Sequence, residues 1–237
     1  MGIALRGLLP LFFIALGGTV AAQSRVMADV TARQVHKGKS MRVEKQVFYS
    51  SNGNLVVHYT YPQQYYMVTN RLGETSVYQP KAGEVMLVND RSMSSESELL
   101  TLFMSPSYAD LGLTRLGFLL AKVEKDGADK VMTYTPTHVD DKAFSRAVVV
   151  LREGNPIYCA FYDQSGNVVK KTYYSHYVEL PMITFPTLVT QISYDGRGDS
   201  IIRREEYRNV RTKDFPKDAL FDYKVPADAR RVTPFGK

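Results

Sequence analysis

The chain offers few residues whose types and spacing could do chemistry. His36, His58, His138 and His176 stand far apart and share no metal-ligand spacing. His58 and His176 each sit in a tyrosine-flanked strand-like run, the setting of a half-buried histidine hydrogen-bonded to a neighbour. Glu205 and Glu206 are two adjacent carboxylates, the raw material of an acid-base pair, but neighbours on a strand point to opposite faces of a sheet. Asp140-Asp141 falls in a loop-like stretch without the further oxygen ligands that calcium needs, and reads as a solvated turn. Cys159 alternates with Ile157 and Phe161, the pattern of a small core hydrophobe rather than of a reactive thiol. The sequence holds no Gly-x-Ser-x-Gly elbow, P-loop, His-Glu-x-x-His or Cys-x-x-Cys. Arg197-Gly198-Asp199, an adhesion tripeptide elsewhere, lies in Asp195-Gly196-Arg197-Gly198-Asp199, where turn geometry asks for those residue types. These patterns assign no catalytic residue, no metal site and no cofactor, and the expectation is a protein that is not an enzyme.

The elements that would position any site are strands almost throughout. Met41, Val43, Val47 and Tyr49 alternate with Arg42, Glu44 and Gln46; beyond Ser51-Asn52-Gly53, Leu55, Val57, Tyr59 and Tyr61 alternate with Val56, His58 and Thr60. That is period two on both sides of a hairpin turn. Similar runs cover 65–70, 75–79, 85–88, 118–124, 130–135, 146–152, 157–162, 168–177, 188–194 and 201–210, with the last two paired across a glycine-rich turn. About ten strands joined by short turns predict a mainly β fold, one curved antiparallel sheet closed into a barrel or doubled into a sandwich. Two helices are expected. In one, Ser94 and Ser95 serve as N-caps, Glu96 and Glu98 suit the first turn, and Leu99, Leu100, Phe103 and Met104 share a face before Pro106. The other spans 26–37 and stops near Gly38.

The first 22 residues have the form of a cleavable signal peptide: Arg6, an apolar run over 8–16, and small residues at Val20-Ala21-Ala22. About nine apolar residues fall short of the ~20 that span a bilayer. Without a cysteine just past the cleavage point, the mature chain is expected to be unlipidated and periplasmic, starting at Gln23. Removal of Arg6 leaves 29 Lys and Arg against 24 Asp and Glu, a mild excess without the dense basic stripe of a nucleic-acid surface. The single cysteine excludes an internal disulfide. With no repeat and no low-complexity linker, residues 23–237 are expected to form one domain and a monomer.

The 16 tyrosines and 11 phenylalanines are unusual, and Tyr59, Tyr61, Tyr65, Tyr66 and Tyr78 crowd one stretch. A sheet curved around a lumen would turn one alternating face into an apolar cavity wall. The order of residues resembles the LolA-type carriers, periplasmic proteins that carry outer-membrane lipoproteins. The similarity rests on a strand ending at Pro62, the turn at Gly73, a strand ending Val77-Tyr78-Gln79-Pro80 and a valine-rich strand over 85–88. It continues with Gly117-Phe118, the hairpin Phe161-Tyr162-Asp163 to Gly166-Asn167, and Leu220-Phe221-Asp222-Tyr223-Lys224-Val225-Pro226. Two departures stand out: Gln46-Val47-Phe48-Tyr49-Ser50 lacks the family's arginine-proline pair, and residues 181–210 are additional. The resemblance implies an unclosed antiparallel β-barrel covered by short α-helices, with a cavity for acyl chains of a lipoprotein or another lipid. It also implies membrane-bound donor and acceptor partners. Alternation alone leaves open which face turns inward; the wall is taken as Leu55, Val57, Tyr59 and Met67, with Leu99, Phe103 and Met104 as lid. The rival expectation is an envelope interaction or sensing module of the same fold, with its cavity filled by core.

Overall fold

The computed structural model describes residues 24–90, 93–95, 98–105, 108–137, 144–181, 183–194 and 198–233. The expected signal segment lies outside the described residues, as do His138, Asp140, Asp141 and Arg197. Fourteen strands follow one another: β1 (Arg25–His36), β2 (Lys39–Ser50), β3 (Leu55–Tyr61), β4 (Tyr65–Thr69), β5 (Glu74–Gln79), β6 (Glu84–Asn89), β7 (Phe118–Asp126), β8 (Asp129–Pro136), β9 (Arg146–Arg152), β10 (Asn155–Tyr162), β11 (Val168–Leu180), β12 (Ile183–Tyr194), β13 (Ser200–Arg211) and β14 (Arg230–Val232). All belong to one curved sheet in the order β14-β6-β5-β4-β3-β2-β1-β13-β12-β11-β10-β9-β8-β7. Every pairing is antiparallel except β14 with β6. The sheet does not close, because β7 and β14 are its two edges.

The stretch expected to be a second helix is β1, the seam of the sheet, paired over its length with β2 and also with β13. Its Val26, Ala28, Val30 and Ala32 satisfy helical spacing about as well as alternation, and backbone pairing on both sides decides for the strand. The glycine taken as a helix stop turns the hairpin instead. Lys37 and Gly38 both have positive φ, 50° and 72°, as a tight two-residue turn between twisted strands requires. The predicted helix over the barrel mouth survives only as α1 (Leu99–Met104), and its serines do not cap it. Ser95 Oγ donates to the Gly53 carbonyl at 2.8 Å and Ser94 Oγ to that of Arg71, fastening the approach to α1 onto the turns below. A 3-10 turn, Tyr108–Asp110, and the loop to Gly117 complete the cover.

Alternation holds along the strands, and the register shows where each face goes. Ala28, Val47, Val57, Met67, Val77 and Met86 form one row across β1 to β6, and Val26, Tyr49 and Leu55 start the next. These rows face inward and pack with Leu100 and Phe103 of α1 and with Phe185 of β12. The outward face is covered too. A 3-10 turn, Asp218–Asp222, sets Phe221 edge-on against Phe48 at 5.3 Å, over Met27 and Val56. The Arg25–Asp222 ion pair at 2.7 Å and the Asn54 Nδ2 bond to the Phe221 carbonyl hold it there.

Candidate functional site

The concave face changes character along its strands. Beyond the aliphatic rows comes Tyr207, Val30, Lys45, Tyr59 and Tyr65, then Tyr174, Val189, Glu205 and Ala32, then Thr172, Gln191, Arg203 and Gln34. Between this graded floor and the cover lies a cavity of about 370 Å³. Leu99 and Leu102 of α1 and the 111–116 loop roof it; Lys45, Glu205, Arg203, Gln191, Tyr174 and Lys170 are among its floor residues. Its volume lies near the lower end of the ~300–1,000 Å³ typical of small-molecule sites, room for one slender ligand.

The charged side chains in the cavity form a network. Lys45, 7% exposed, lies 3.6 Å from Glu98, the residue that starts α1. Glu205 takes a 2.6 Å bond from Arg203 and a 3.0 Å bond from the Tyr207 hydroxyl. Burial alone would raise the Glu205 carboxyl, but Lys45 and Arg203 hold it below the usual carboxylate range. Burial alone would likewise lower the Lys45 ammonium, yet Glu98 and Glu205 outweigh it and the pKa is raised. Such mutually compensated charges can stay ionised inside a fold. Glu206 points away from this network to Arg204 and Arg208 on the outer face, so the adjacent glutamates are split between faces as strand geometry dictates. Cys159 is buried, and burial pushes its thiol up to about 12, which keeps it protonated and unreactive at neutral pH.

The fold brings every expected wall and lid residue to one cluster. Leu55, Val57, Tyr59, Met67, Leu99, Phe103 and Met104 all pack into or against the same inner core. Their exposure to open space differs. Leu99 lines the charged cavity, Tyr59 a smaller apolar cleft with Ala32, Met41 and Val43, and Phe103 and Met104 a groove beside Leu180 and Ile183. Leu55 and Val57 are sealed within the packing, Val57 at 0% exposure. Val56, on the face opposite Val57, is equally buried beneath the C-terminal turn. His58 accepts the role expected of it: Gln64 Nε2 lies 3.2 Å from its Nε2, its ring stacks on Tyr66 at 4.4 Å, and burial lowers its pKa. Among the described residues no group of three or more His, Cys, Asp or Glu could hold a metal ion.

No family model and no curated protein matches the sequence. Solved structures do match. A LolA superfamily protein from Nitrosomonas europaea superposes with a TM-score of 0.55 over 84% of this chain and 90% of its own, at 14% identity. A DUF1329 family protein from Desulfovibrio piger gives 0.56 over 85% and 90%, at 18% identity. The fold is one that these structures share. A domain from Vibrio parahaemolyticus named for outer membrane lipoprotein sorting shares it, with a TM-score of 0.53 over 83% and 91% at 14% identity. The unclosed sheet in this chain is covered from within by α1 and the 111–117 loop, and none of its described helices is long and apolar enough to cross a membrane.

The polar half of the cavity is what sequence reasoning missed. Lys45 lies on β2, far along the chain from Lys170, Gln191, Arg203 and Glu205 on the consecutive β11, β12 and β13, and a charged residue in an alternating strand is normally assigned to solvent. The one available signal was Ile201-Ile202 beside Arg203, where an apolar pair puts one isoleucine outside whatever the phase. Ile202 is 40% exposed on the outer face while Arg203 lines the cavity.

Proposed function

We propose that this chain is a non-enzymatic carrier that holds a lipid, or the acyl part of a lipoprotein, between α1 and the concave face for transfer towards the outer membrane. The observation that carries the reading is the roofed cavity with leucines from α1 and from the 111–116 loop above a floor that includes Val189, Phe161 and Tyr174. The likeness to a LolA superfamily protein and to a lipoprotein-sorting domain supports it. The energetics suit a carrier: each methylene taken from water contributes about 0.8 kcal/mol, so partial burial of one chain gives useful affinity while release stays possible. On this reading residues 1–22 direct export and are removed, the mature monomer works in the periplasm, and membrane-bound donor and acceptor proteins load and unload it.

Protein purified from its native envelope should begin at Gln23 on N-terminal sequencing. Solvent extraction followed by mass spectrometry should release an acyl-bearing molecule at close to one equivalent. A retained leader with no extractable lipid, together with no binding of a fluorescent acyl probe to the purified chain, overturns the reading. One observation favours the interaction module instead, namely the complete packing of Leu55 and Val57. If that module is correct, Val57→Gln lowers stability by roughly 1–3 kcal/mol through an unpaired buried amide, and the parent protein binds no acyl probe.

A further inference from the structure

We propose that the cavity selects an amphiphile with a single acyl chain and an anionic head, carboxylate or phosphate, seated against Lys170 on β11. The inference rests on the carrier reading and adds the chemistry of the ligand's polar end. The cavity sets leucines of α1 and of the 111–116 loop over a floor with Lys45, Lys170, Thr172, Gln191 and Arg203, so a ligand lying in it meets apolar groups on one side and polar groups on the other. A plain hydrocarbon would cover that polar side without offering it a hydrogen bond, which disfavours it.

The cations at the polar end are not equivalent. Lys45 is paired with Glu98, and Arg203 with Glu205. Lys170 lines the same cavity and no carboxylate among the described residues pairs with it; its ammonium stands 5.6 Å from the centroid of the Phe161 ring. Burial lowers its pKa, Cys159 opposes this and the nearby Arg203 charge adds to it, the balance of a cation without a carboxylate counter-ion. An anionic head would supply that counter-ion, with Thr172 and Gln191 on the neighbouring rows as further donors. The cavity's modest volume matches one chain better than two.

The test compares three probes of equal chain length on the mature protein by displacement of a fluorescent acyl reporter: palmitate, palmitoyl lysophosphatidate and monopalmitoylglycerol. The two anions should bind at least tenfold more tightly than the neutral lipid, and the tighter of the two identifies the head. Lys170→Met should erase that preference while thermal stability stays as in the parent, and Lys170→Arg should retain it. Equal binding of all three probes to the parent, or an undiminished preference in Lys170→Met, overturns the anionic-head assignment and leaves the carrier standing. Failure of every probe to bind the parent overturns both.

Discussion

Val57 and Gln191 face the same concave surface, and their neighbourhoods behave as two materials. Around Val57 the β1–β6 rows meet α1 and Phe185 in aliphatic and aromatic contact, with Phe103 and Phe185 at 5.5 Å and Phe185 and Tyr207 at 5.1 Å. Around Gln191 the floor recedes from its cover, and the space holds charge that is balanced only in part. One end of the face therefore holds the fold together and the other offers the site. Alternation explains how both arise in one sheet, since it fixes which side a residue takes and says nothing of what covers that side.

Substitutions can break this contrast. The largest effect is expected at the packed end: Phe185→Ala removes a fully buried ring and should cost about 3–5 kcal/mol in denaturant unfolding. Glu205→Gln comes next, because it strips Lys45 and Arg203 of a shared partner. A loss of roughly 2 kcal/mol is expected, less than the ~3–5 for a fully buried pair, since the Arg203 side chain is 48% exposed. This loss depends on pH with a definite sign. The folded-state carboxyl sits below its ordinary value of 4.5, so its contribution is complete above 4.5 and fades as pH falls through the lower folded value. Stability measured across that acid range should fall less steeply in Glu205→Gln than in the parent. The smallest effect is expected from Gln191→Leu, which should move stability by no more than about 0.5 kcal/mol because its side chain borders open space. A loss at Gln191 comparable to that at Phe185 would show that the two ends are one continuous core.

Much of the fold was legible in the sequence where local signals agreed. The hairpin from Lys45 to Tyr59 pairs without a break around a strong turn, and its inward residues Leu55, Val57 and Tyr59 do meet Met67, Leu99, Phe103 and Met104 in one cluster. Reading failed where a local pattern had two solutions. Residues 26–37 fit helix and strand alike, and only pairing with β13, far along the chain, selects the strand. It passed over Lys45, which lies in a strand whose outer neighbours are also polar, and nothing nearby tells that Glu98 and Glu205 arrive from distant segments to neutralise it. The serines before α1 had the composition of caps, but backbone carbonyls at Gly53 and Arg71 compete for the same hydroxyls.

The place of β1 in the strand order also bears on how the protein assembles. The ladders β2 to β6 and β7 to β13 consist of neighbours in sequence and can zip up as successive hairpins, whereas the seam that joins them sets Val30 beside Tyr207. Closing it waits for nearly the entire chain and carries the loop-closure cost of that separation, so it belongs to the slow steps of folding. Until then β1 and β13 each present an unpaired edge, flanked by apolar rows that β12 and α1 have yet to cover. Newly made chains are therefore most prone to associate with one another in the interval between synthesis of β1 and docking of β13, and a variant that weakens the seam lengthens that interval.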